Sequence, residues 1–389
     1  MREGWEYKKL GDCFLCIKNG ANIKQIKNAD GFPITRIETL SGGVFNRDRM
    51  GYAGIHDLDK YTDYVLEDGD LLMSHINSKT YIGRTVEYKK DGNETIIHGM
   101  NLLRLKSNKS LIVSSFMAYY TLSAEFKANV AKIRKDAVNQ SSMAISDLKR
   151  FLIPVPSLSI QQSIVSELDE INKLLSLKRK ELETYDKLAQ SLFYEMFGDP
   201  VENEKGWEVK KLGEVCVIIT GSTPSTSDGS NWDGHVNWVT PAELDIQLYY
   251  GETKRKITEK AAKSLTIMPK GTVLLSTRAP IGKLAITTVP MCCNQGFKNM
   301  ICKDELVNIF LYYYLLFTMD NIKAMGRGAT FKEVSKNAIN EYSVVLPPLS
   351  LQQLFAARIE AIEQQKANVK AAIEKLETLL AARMQYWFE

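Results

Sequence analysis

The segment Gly4-Trp5-Glu6-Tyr7-Lys8-Lys9-Leu10-Gly11 returns 202 positions later as Gly206-Trp207-Glu208-Val209-Lys210-Lys211-Leu212-Gly213. A second repeat closes each half: Pro156-Ser157-Leu158-Ser159-Ile160-Gln161-Gln162 corresponds to Pro347-Pro348-Leu349-Ser350-Leu351-Gln352-Gln353. Between these two motifs the halves diverge. Internal repetition of this kind indicates two copies of one structural unit. Similar edges around dissimilar middles favour one scaffold that presents two different binding surfaces.

A long segment with a heptad-like pattern follows each closing motif. Its seam residues recur alternately four and three positions apart, which is typical of coiled-coil helices. The seam positions are Ile164, Leu168, Ile171, Leu175, Lys178, Leu182, Tyr185, Ala189, Leu192 and Met196 in the first segment, and Phe355, Ile359, Ile362, Lys366, Val369, Ile373, Leu376, Leu380, Arg383 and Trp387 in the second. Each helix is predicted to open on a capping box, Ser159 with Gln162 and Ser350 with Gln353. At about 1.5 Å per residue, ~40 residues predict helices about 60 Å long.

The connection between the two helices favours an antiparallel pair. Gly198-Asp199-Pro200 ends the first helix, and the next globular stretch begins at about Gly206, which leaves no long return segment. An antiparallel pair predicts a pseudo-twofold dumbbell; the alternative is that each helix lies on its own globular domain. The predicted segments are a globular domain at 1–157, a long helix at 158–197, a second globular domain at 198–348 and a C-terminal long helix at 349–389.

The globular stretches indicate an α+β fold. A turn that leads into an apolar strand is predicted at 64–74 and again at 267–276. A Tyr-rich helix follows at 116–122 and 310–316. Aromatic residues on a helix are more often core than a stacking platform for bases, so these tyrosines are predicted to be buried. A polar, basic loop comes after each helix, at 134–140 and at 327–332.

Composition limits the class of protein. The 389 residues allow two or three domains, and the net charge of +4 is compatible with phosphate contact but too small to demonstrate it. The longest apolar run, from Ile309 to Phe317, is about half a membrane span. The first residues have no apolar signal region, so a cytoplasmic protein is expected.

Neither the Cys13-Phe14-Leu15-Cys16 spacing nor the four isolated histidines complete a metal site, and none is expected.

No catalytic motif is complete. The stretch Leu346-Pro347-Pro348-Leu349 lacks the polar and aromatic residues of an adenine methyltransferase motif, and no phosphate-cradling Gly-rich loop precedes a Lys-Ser/Thr pair. Glu202-Asn203-Glu204-Lys205 contains a nuclease-like Glu-x-Lys spacing, but it lies in the linker between the two halves. The sequence therefore predicts a binding protein and not an enzyme.

Together these features resemble the specificity subunits of type I restriction–modification systems. The second half carries Thr220-Gly221-Ser222-Thr223-Pro224-Ser225, then Trp232 and Trp238-Val239-Thr240-Pro241. Pro269-Lys270-Gly271-Thr272-Val273-Leu274, Ile281-Gly282-Lys283 and Asn294-Gln295-Gly296-Phe297 continue the family's order. The first half has Ile34-Thr35-Arg36-Ile37 in place of the Thr-Pro-Ser string, which is another form of the recognition domain. The resemblance covers essentially the whole chain.

The resemblance implies a division of labour among subunits. The globular segments would be two target-recognition domains that read the two halves of a bipartite site in double-stranded DNA. The chain would bridge two modification subunits, which bring S-adenosylmethionine, flip the target adenine and methylate it. Restriction/translocase subunits would bring ATP and Mg²⁺, so no cofactor is expected in this chain. The whole complex would serve defence against phage.

Candidate DNA contacts are the polar and basic residues in corresponding loops of the two halves, because such side chains read base edges and fix phosphates. They are Arg47, Arg49, His75, Asn77, Lys79, Arg84, Asn139 and Gln140 in the first domain, and Ser222, Thr223, Thr226, Arg278, Lys283, Gln295, Lys298, Arg327, Thr330 and Lys332 in the second.

Two other interpretations stay open from the sequence. One is a specificity subunit of a related methyltransferase-based defence system that has no nuclease. The other is a coiled-coil scaffold with two adaptor domains that does not bind DNA. A sequence-selective complex with DNA would exclude the scaffold.

Overall fold

The chain divides into two compact units, which are described here in a computed structural model. The first unit comprises Met1–Arg179 and Ala372–Glu389, and the second comprises Lys180–Ala371. The structure describes residues 4–26, 30–138, 140–278, 280–326 and 333–389. Each unit thus holds one globular domain and one part of each long helix.

The first unit is built from short strands, three short helices and parts of the two long helices. The strands are β1 (Glu6–Lys9), β2 (Phe14–Asn19), β3 (Pro33–Ile34), β4 (Gly51–Tyr52), β5 (Leu71–Ser74), β6 (Ile76–Asn77), β7 (Thr85–Glu87), β8 (Leu102–Ser107), β9 (Lys135–Asp136), β10 (Ser141–Ser142) and β11 (Leu152–Val155). The helices are α1 (Ser114–Tyr120), α2 (Ala124–Ile133), α3 (Ile145–Lys149) and α4 (Leu158–Phe197), which continues into the second unit. Short 3₁₀ turns cover Leu10–Cys13, Ile37–Gly43, Arg47–Arg49 and Thr62–Tyr64.

The second unit repeats this plan with longer strands. The strands are β12 (Glu208–Lys211), β13 (Cys216–Thr220), β14 (Trp232–Val239), β15 (Tyr249–Tyr250), β16 (Lys256–Ile257), β17 (Val273–Thr277), β18 (Ile281–Thr287), β19 (Cys292–Cys293), β20 (Lys298–Cys302) and β21 (Ser343–Leu346). The helices are α5 (Leu212–Val215), α6 (Glu259–Ala262), α7 (Asn308–Phe317), α8 (Met319–Ala324), α9 (Lys336–Asn340) and α10 (Leu349–Phe388), and a 3₁₀ turn covers Gly229–Asn231.

The two main sheets have the same topology. Their strand orders are β2-β8-β5-β7 in the first unit and β13-β20-β17-β18-β15 in the second. Strand for strand, β2, β8, β5 and β7 correspond to β13, β20, β17 and β18. The predicted duplication and the α+β class are confirmed.

The repeated sequence motifs at the two edges of each half are joined by hydrogen bonds. Strand β1, from the Gly-Trp-Glu motif, pairs antiparallel with β11, with Glu6 opposite Val155. Strand β12 pairs in the same way with β21, with Glu208 opposite Leu346. The start and the end of each half therefore form one two-stranded ribbon, which closes the domain immediately before its long helix.

The cores lie between the main sheets and the helices that follow them. Every residue of β5 and of β17 is buried, as expected for the central strand of a sheet covered on both faces. Tyr312, Tyr313 and Tyr314 on α7 are 3–6% exposed, and Tyr120 on α1 is fully buried. The aromatic helices thus belong to the cores, as predicted.

The long helices pack antiparallel within each unit. In the first unit Glu167 and Arg179 of α4 pair with Arg383 and Glu377 of α10, in reversed order along the two helices. In the second unit Asp186 pairs with Lys366 in the same sense. All twenty predicted seam positions are buried or half-buried, so the predicted coiled-coil periodicity and helix orientation are confirmed.

The predicted capping boxes are wrong. The helices begin at Leu158 and Leu349, so Ser159 and Ser350 already lie inside the first turn and cannot serve as N-caps. At the first helix, the Ser157 hydroxyl accepts the Ile160 N–H instead, at 3.4 Å.

The first glutamine of each Gln-Gln pair joins its long helix to the globular domain. The fully buried Gln161 accepts the Val113 N–H at 2.8 Å and donates to the Leu111 and Pro156 carbonyls at 2.9 and 2.8 Å. Gln352 repeats this pattern with the Val307 N–H and with the carbonyls of Glu305 and Pro347.

Across the residues that the structure describes, every helix is too short or too polar to span a bilayer. The six cysteines are all free thiols. Cys13 is buried, and burial raises the pKa of its thiol to about 11.

Candidate nucleic-acid interface

In the first domain a three-stranded ribbon gathers several of the predicted contact residues. Strand β10 pairs with β6 on one side and with β9 on the other, so Ser141 lies opposite both Asn77 and Asp136. The turn between β9 and β10 exposes 98% of Val138 and leaves Gln140 at the surface. Asn139 lies outside the described residues.

Asp136 organises the cations beside this ribbon. Its carboxylate accepts the Ser141 hydroxyl at 2.6 Å and contacts the Arg134 Nε at 2.8 Å and the Lys79 Nζ at 3.2 Å. The hydrogen bond from Ser141, followed by the bond from Lys79 and the charge of Arg134, lowers the pKa of Asp136. A groove next to the ribbon is lined by four cations: Lys79, Arg84, Lys127 and Arg134. Lys127 and Arg134 were not among the sequence candidates, although the Arg134-Lys135 pair marked this loop.

Two other candidates of the first domain make contacts with other residues of the same domain. Arg47 forms a two-point ion pair with Glu94, at 2.5 Å and 2.9 Å. Arg84 stacks 4.3 Å from the centre of the Tyr81 ring and donates to the Leu40 carbonyl. Arg49 is exposed.

His75 is only 6% exposed, and burial lowers its pKa. Its imidazole is therefore neutral at pH 7 and lies below the surface. His75 directly follows strand β5, in which every residue is buried. The sequence alone does not show that this burial continues to the histidine.

In the second domain two tryptophans fix the Thr-Pro-Ser loop. The indole N–H of Trp232 donates to the Ser225 carbonyl at 3.1 Å, and that of Trp238 donates to the Ser222 carbonyl at 3.0 Å. The exposed Arg255 places its guanidinium 3.8 Å from the centre of the ring of the half-buried Trp232. Arg255 is a surface cation that the sequence analysis missed, because the stacking residues are far apart in the chain.

The fixed loop meets the Asn-Gln-Gly-Phe segment. The Ser222 N–H donates to the Cys293 carbonyl at 2.8 Å, and the Thr223 hydroxyl bonds both Asn294 and Gln295. Gly221 allows this approach because a Cβ there would collide with the Asn294 carbonyl and the Cys293 side chain. Thr226 is exposed in the same loop.

A buried cation lies beneath the neighbouring surface. Lys298 is 4% exposed and contacts Glu333 at 3.3 Å and the Thr277 hydroxyl at 3.4 Å. Arg278 approaches the other oxygen of Glu333, at 3.8 Å. Lys298 thus positions Glu333 and Arg278 from within, whereas Arg278 is partly exposed.

The remaining candidates of the second domain are separate from this group or outside the described part. Lys283, on strand β18, forms an ion pair with Asp245 at 3.4 Å. Arg327, Thr330 and Lys332 lie outside the described residues. Within the described ranges, His, Cys, Asp and Glu form no group of three or more that could hold a metal ion.

These features define a class: a duplicated protein with two sheet-based domains, each of which presents a different polar surface in its loops. The family described as "Type I restriction modification DNA specificity domain" matches residues 2–184 and 204–378. The chain belongs to this family. It is a non-catalytic, DNA-recognising specificity subunit, a component that acts with restriction and modification subunits.

Relatives match along the whole chain. A Methanocaldococcus jannaschii protein assigned as the specificity subunit of the type I restriction enzyme MjaX is 30% identical over 401 aligned positions, covering 97% of this chain and 93% of the relative. The MjaIX specificity subunit from the same organism is 38% identical over 190 positions, 47% of this chain and 44% of the relative.

Solved structures share the fold. A chain from a study of complex assembly and conformational transition of the type I restriction–modification system has a TM-score of 0.62 at 20% identity, with 100% of this chain and 98% of that chain covered. The specificity subunit of M. genitalium has a TM-score of 0.59 at 14% identity, with 99% and 96% covered.

Proposed function

We propose that the two domains read the two halves of one bipartite DNA site. The main support for this proposal is that the two domains have the same sheet topology but present different side chains in their loops. Opposite the equivalent close-approach glycines, Gly20 and Gly221, the first domain has His98-Gly99-Met100 where the second has Cys293-Asn294-Gln295. Sequence is read by side chains at base edges, so different side chains on one frame read different half-sites.

The internal duplication also supports the binding of two identical partner subunits. Equivalent surfaces on the two units bind two copies of the same protein, and these are the modification subunits. They supply S-adenosylmethionine and methylate the target adenine after flipping it from the duplex. ATP and Mg²⁺ belong to the restriction subunits. The residues of this chain contribute recognition and positioning, and the system serves defence against phage.

Surface cations fix the register on the DNA. Four cations, Lys79, Arg84, Lys127 and Arg134, line one groove of the first domain, and Asp136 pairs with two of them, Lys79 and Arg134. Cations in such a groove neutralise phosphates and release counterions, so binding weakens as salt rises. Arg255 on Trp232 supplies an exposed cation of the same kind in the second domain.

A domain exchange tests the bipartite reading. Residues 214–344 are replaced by the equivalent stretch of a relative with a known target, and the host is analysed by methylome sequencing. One half of the methylated motif changes and the other half stays. The matched control exchanges residues 12–151 and changes the opposite half. If either exchange alters both halves together, the domains are not independent readers.

A further inference from the structure

A chain of hydrogen bonds fixes the side chain of Gln295. The Gly296 N–H donates to Asn294 Oδ1 at 2.7 Å, so the Asn294 amide nitrogen must point the other way. That nitrogen donates to the Thr223 hydroxyl oxygen at 3.1 Å. Thr223 Oγ1 in turn donates its proton to Gln295 Oε1.

The direction of these bonds determines which groups Gln295 presents. A backbone N–H can only donate, so the Gly296 bond fixes the orientation of the Asn294 amide. The Thr223 hydroxyl, which accepts from that amide, directs its own proton to the Gln295 oxygen in this structure. With its oxygen held by Thr223, the exposed Gln295 amide keeps one free lone pair on Oε1 and both protons on Nε2. It therefore presents one acceptor beside one donor, in a fixed order.

This pattern is complementary to adenine. In the major groove adenine offers an N6 donor and an N7 acceptor, which a glutamine amide binds at two points. Guanine offers two acceptors there, and cytosine offers one donor. An amide that cannot rotate accepts from N6 and donates to N7, and it cannot reverse to suit another base. We propose that Gln295 reads an adenine in the half-site of the second domain and that Asn294 and Thr223 position its amide. This inference rests on the proposed reading of DNA by that domain.

The equivalent place in the first domain has no such side chain. Gly20 packs on the His98 and Gly99 backbone as Gly221 packs on that of Cys293 and Asn294. Gly99 thus occupies the position of Asn294, and the Thr35 hydroxyl accepts its N–H at 2.9 Å. Met100, the next residue, occupies the position of Gln295 and has no amide. The adenine contact belongs to one half-site only.

The test compares methylation by the full complex of this chain and its modification subunits. The substrates are duplexes in which each position of the native motif is changed in turn. Gln295→Leu lowers the preference for adenine over the other bases at one position of the second domain's half-site. The expected loss is about 5- to 150-fold, the range of a two-point base contact. Gln295→Glu, which can only accept, shifts preference there from adenine toward cytosine. Thr223→Val keeps the side-chain shape but frees the amide, and it lowers discrimination at the same position by less than Gln295→Leu does.

Gln247→Ala is the matched control, since this exposed glutamine of the same domain lies outside the hydrogen-bond chain. It leaves the motif unchanged. Unaltered discrimination at every position in both Gln295 variants overturns the inference while the bipartite reading stands. Changes in both half-sites overturn it as well. A wild-type complex that methylates no defined bipartite motif would overturn the proposed function itself.

Discussion

Single residues connect the repeated motifs of this chain to its fold. Gln161 and Gln352 occupy equivalent places in the two closing motifs, and both are fully buried with three hydrogen bonds each. A buried amide is retained only when its donors and acceptors are paired. The repeated glutamine is therefore explained by one task, which is to hold the start of a long helix against the loop before α1 or α7.

Gln161→Ala is expected to destabilise the first unit by about 3 kcal/mol. The variant loses three buried hydrogen bonds and leaves the Val113 N–H without its acceptor. Urea unfolding followed by circular dichroism measures the change. The neighbouring Gln162 is exposed, and Gln162→Ala should change the free energy of unfolding by less than about 0.5 kcal/mol. Equal effects of the two variants would contradict the role given to Gln161.

The ion pair of Arg47 with Glu94 should make the first unit sensitive to acid. The hydrogen bond from Arg47 lowers the pKa of Glu94 from 4.5 to about 2, and the side chain is 20% exposed. Because the folded-state pKa is below the unfolded value, the stabilisation is full above about pH 4.5 and is lost as the pH falls toward about 2.

Glu94→Gln, which imitates the protonated acid, is expected to be about 2 kcal/mol less stable than the wild type at pH 7. This gap should narrow steadily between pH 4.5 and pH 3. Urea unfolding at a series of pH values measures it. Glu38→Gln is the control, because the Glu38 carboxylate is largely exposed and lies 3.4 Å from Arg36. A gap that stays constant with pH would show that the ionised form of Glu94 is not what Arg47 stabilises.

At the scale of the elements, charged residues in the helix seam are paired across it. Arg383 of α10 binds Glu167 of α4, which also accepts the Trp387 indole N–H at 3.0 Å. Lys366 is 17% exposed and lies 2.9 Å from Asp186 and 2.7 Å from Glu363. Burial lowers the pKa of Lys366, but hydrogen bonds to Glu363 and Asp186 outweigh it and raise the pKa overall. Polar residues in a coiled-coil seam specify register at some loss of stability.

Lys366→Gln is expected to destabilise the second unit by about 1–2 kcal/mol, because it leaves two carboxylates near each other without a cation. Asp186→Ala removes only the exposed partner, 66% accessible, and should change stability by less than about 1 kcal/mol. The control is Lys370→Gln, four residues along the same helix at an exposed position. Equal losses for Lys366→Gln and Lys370→Gln would mean that the seam lysine has no special role.

At the scale of the whole molecule, the long helices belong to both units. Each is one continuous helix of 40 residues, from Leu158 to Phe197 and from Leu349 to Phe388. Each unit contains an antiparallel segment of the pair, and Ser176 and Leu376 each lie within one helical turn of the contact between Arg179 and Glu377. We expect the number of residues in these helices to set the unread spacer between the two half-sites.

The variant that tests this carries four extra residues after Ser176 and four after Leu376. Four residues are close to one helical turn, so the apolar seam stays nearly in phase, and the pair lengthens by about 6 Å. This is about two base pairs at ~3.4 Å per pair. Methylome sequencing should show a spacer longer by one or two base pairs and unchanged half-sites. An insertion into α4 alone is the control, because it shifts one helix past the other. An active paired variant with the original spacer would exclude the helices as the ruler.

The sequence by itself determined the periodic and repeated features of this protein. The duplication and the lack of a complete catalytic motif follow from comparing short motifs along the chain. The seam from Ile164 to Met196 and the buried aromatic helix around Tyr313 are local patterns. Such patterns are readable because helical periodicity and burial act between residues only three or four positions apart. The capping boxes failed because both helices begin one residue before the predicted cap; at the first helix Ser157, and not Ser159, accepts a backbone N–H of the first turn.

The tertiary structure alone decided which polar residues act together. Thr223 and Gln295 are separated by 72 positions, and Val113 and Gln161 by 48, so no local pattern could join them. It also separated look-alike candidates: His75 is buried, Arg47 is held by Glu94, and Arg255 lies on Trp232 at the surface. A side chain's exposure and its hydrogen-bond polarity depend on the segments that the fold brings against it. The recognition chemistry of this protein is therefore set by long-range contacts, whereas the helical periodicity that the sequence reveals is set by local ones.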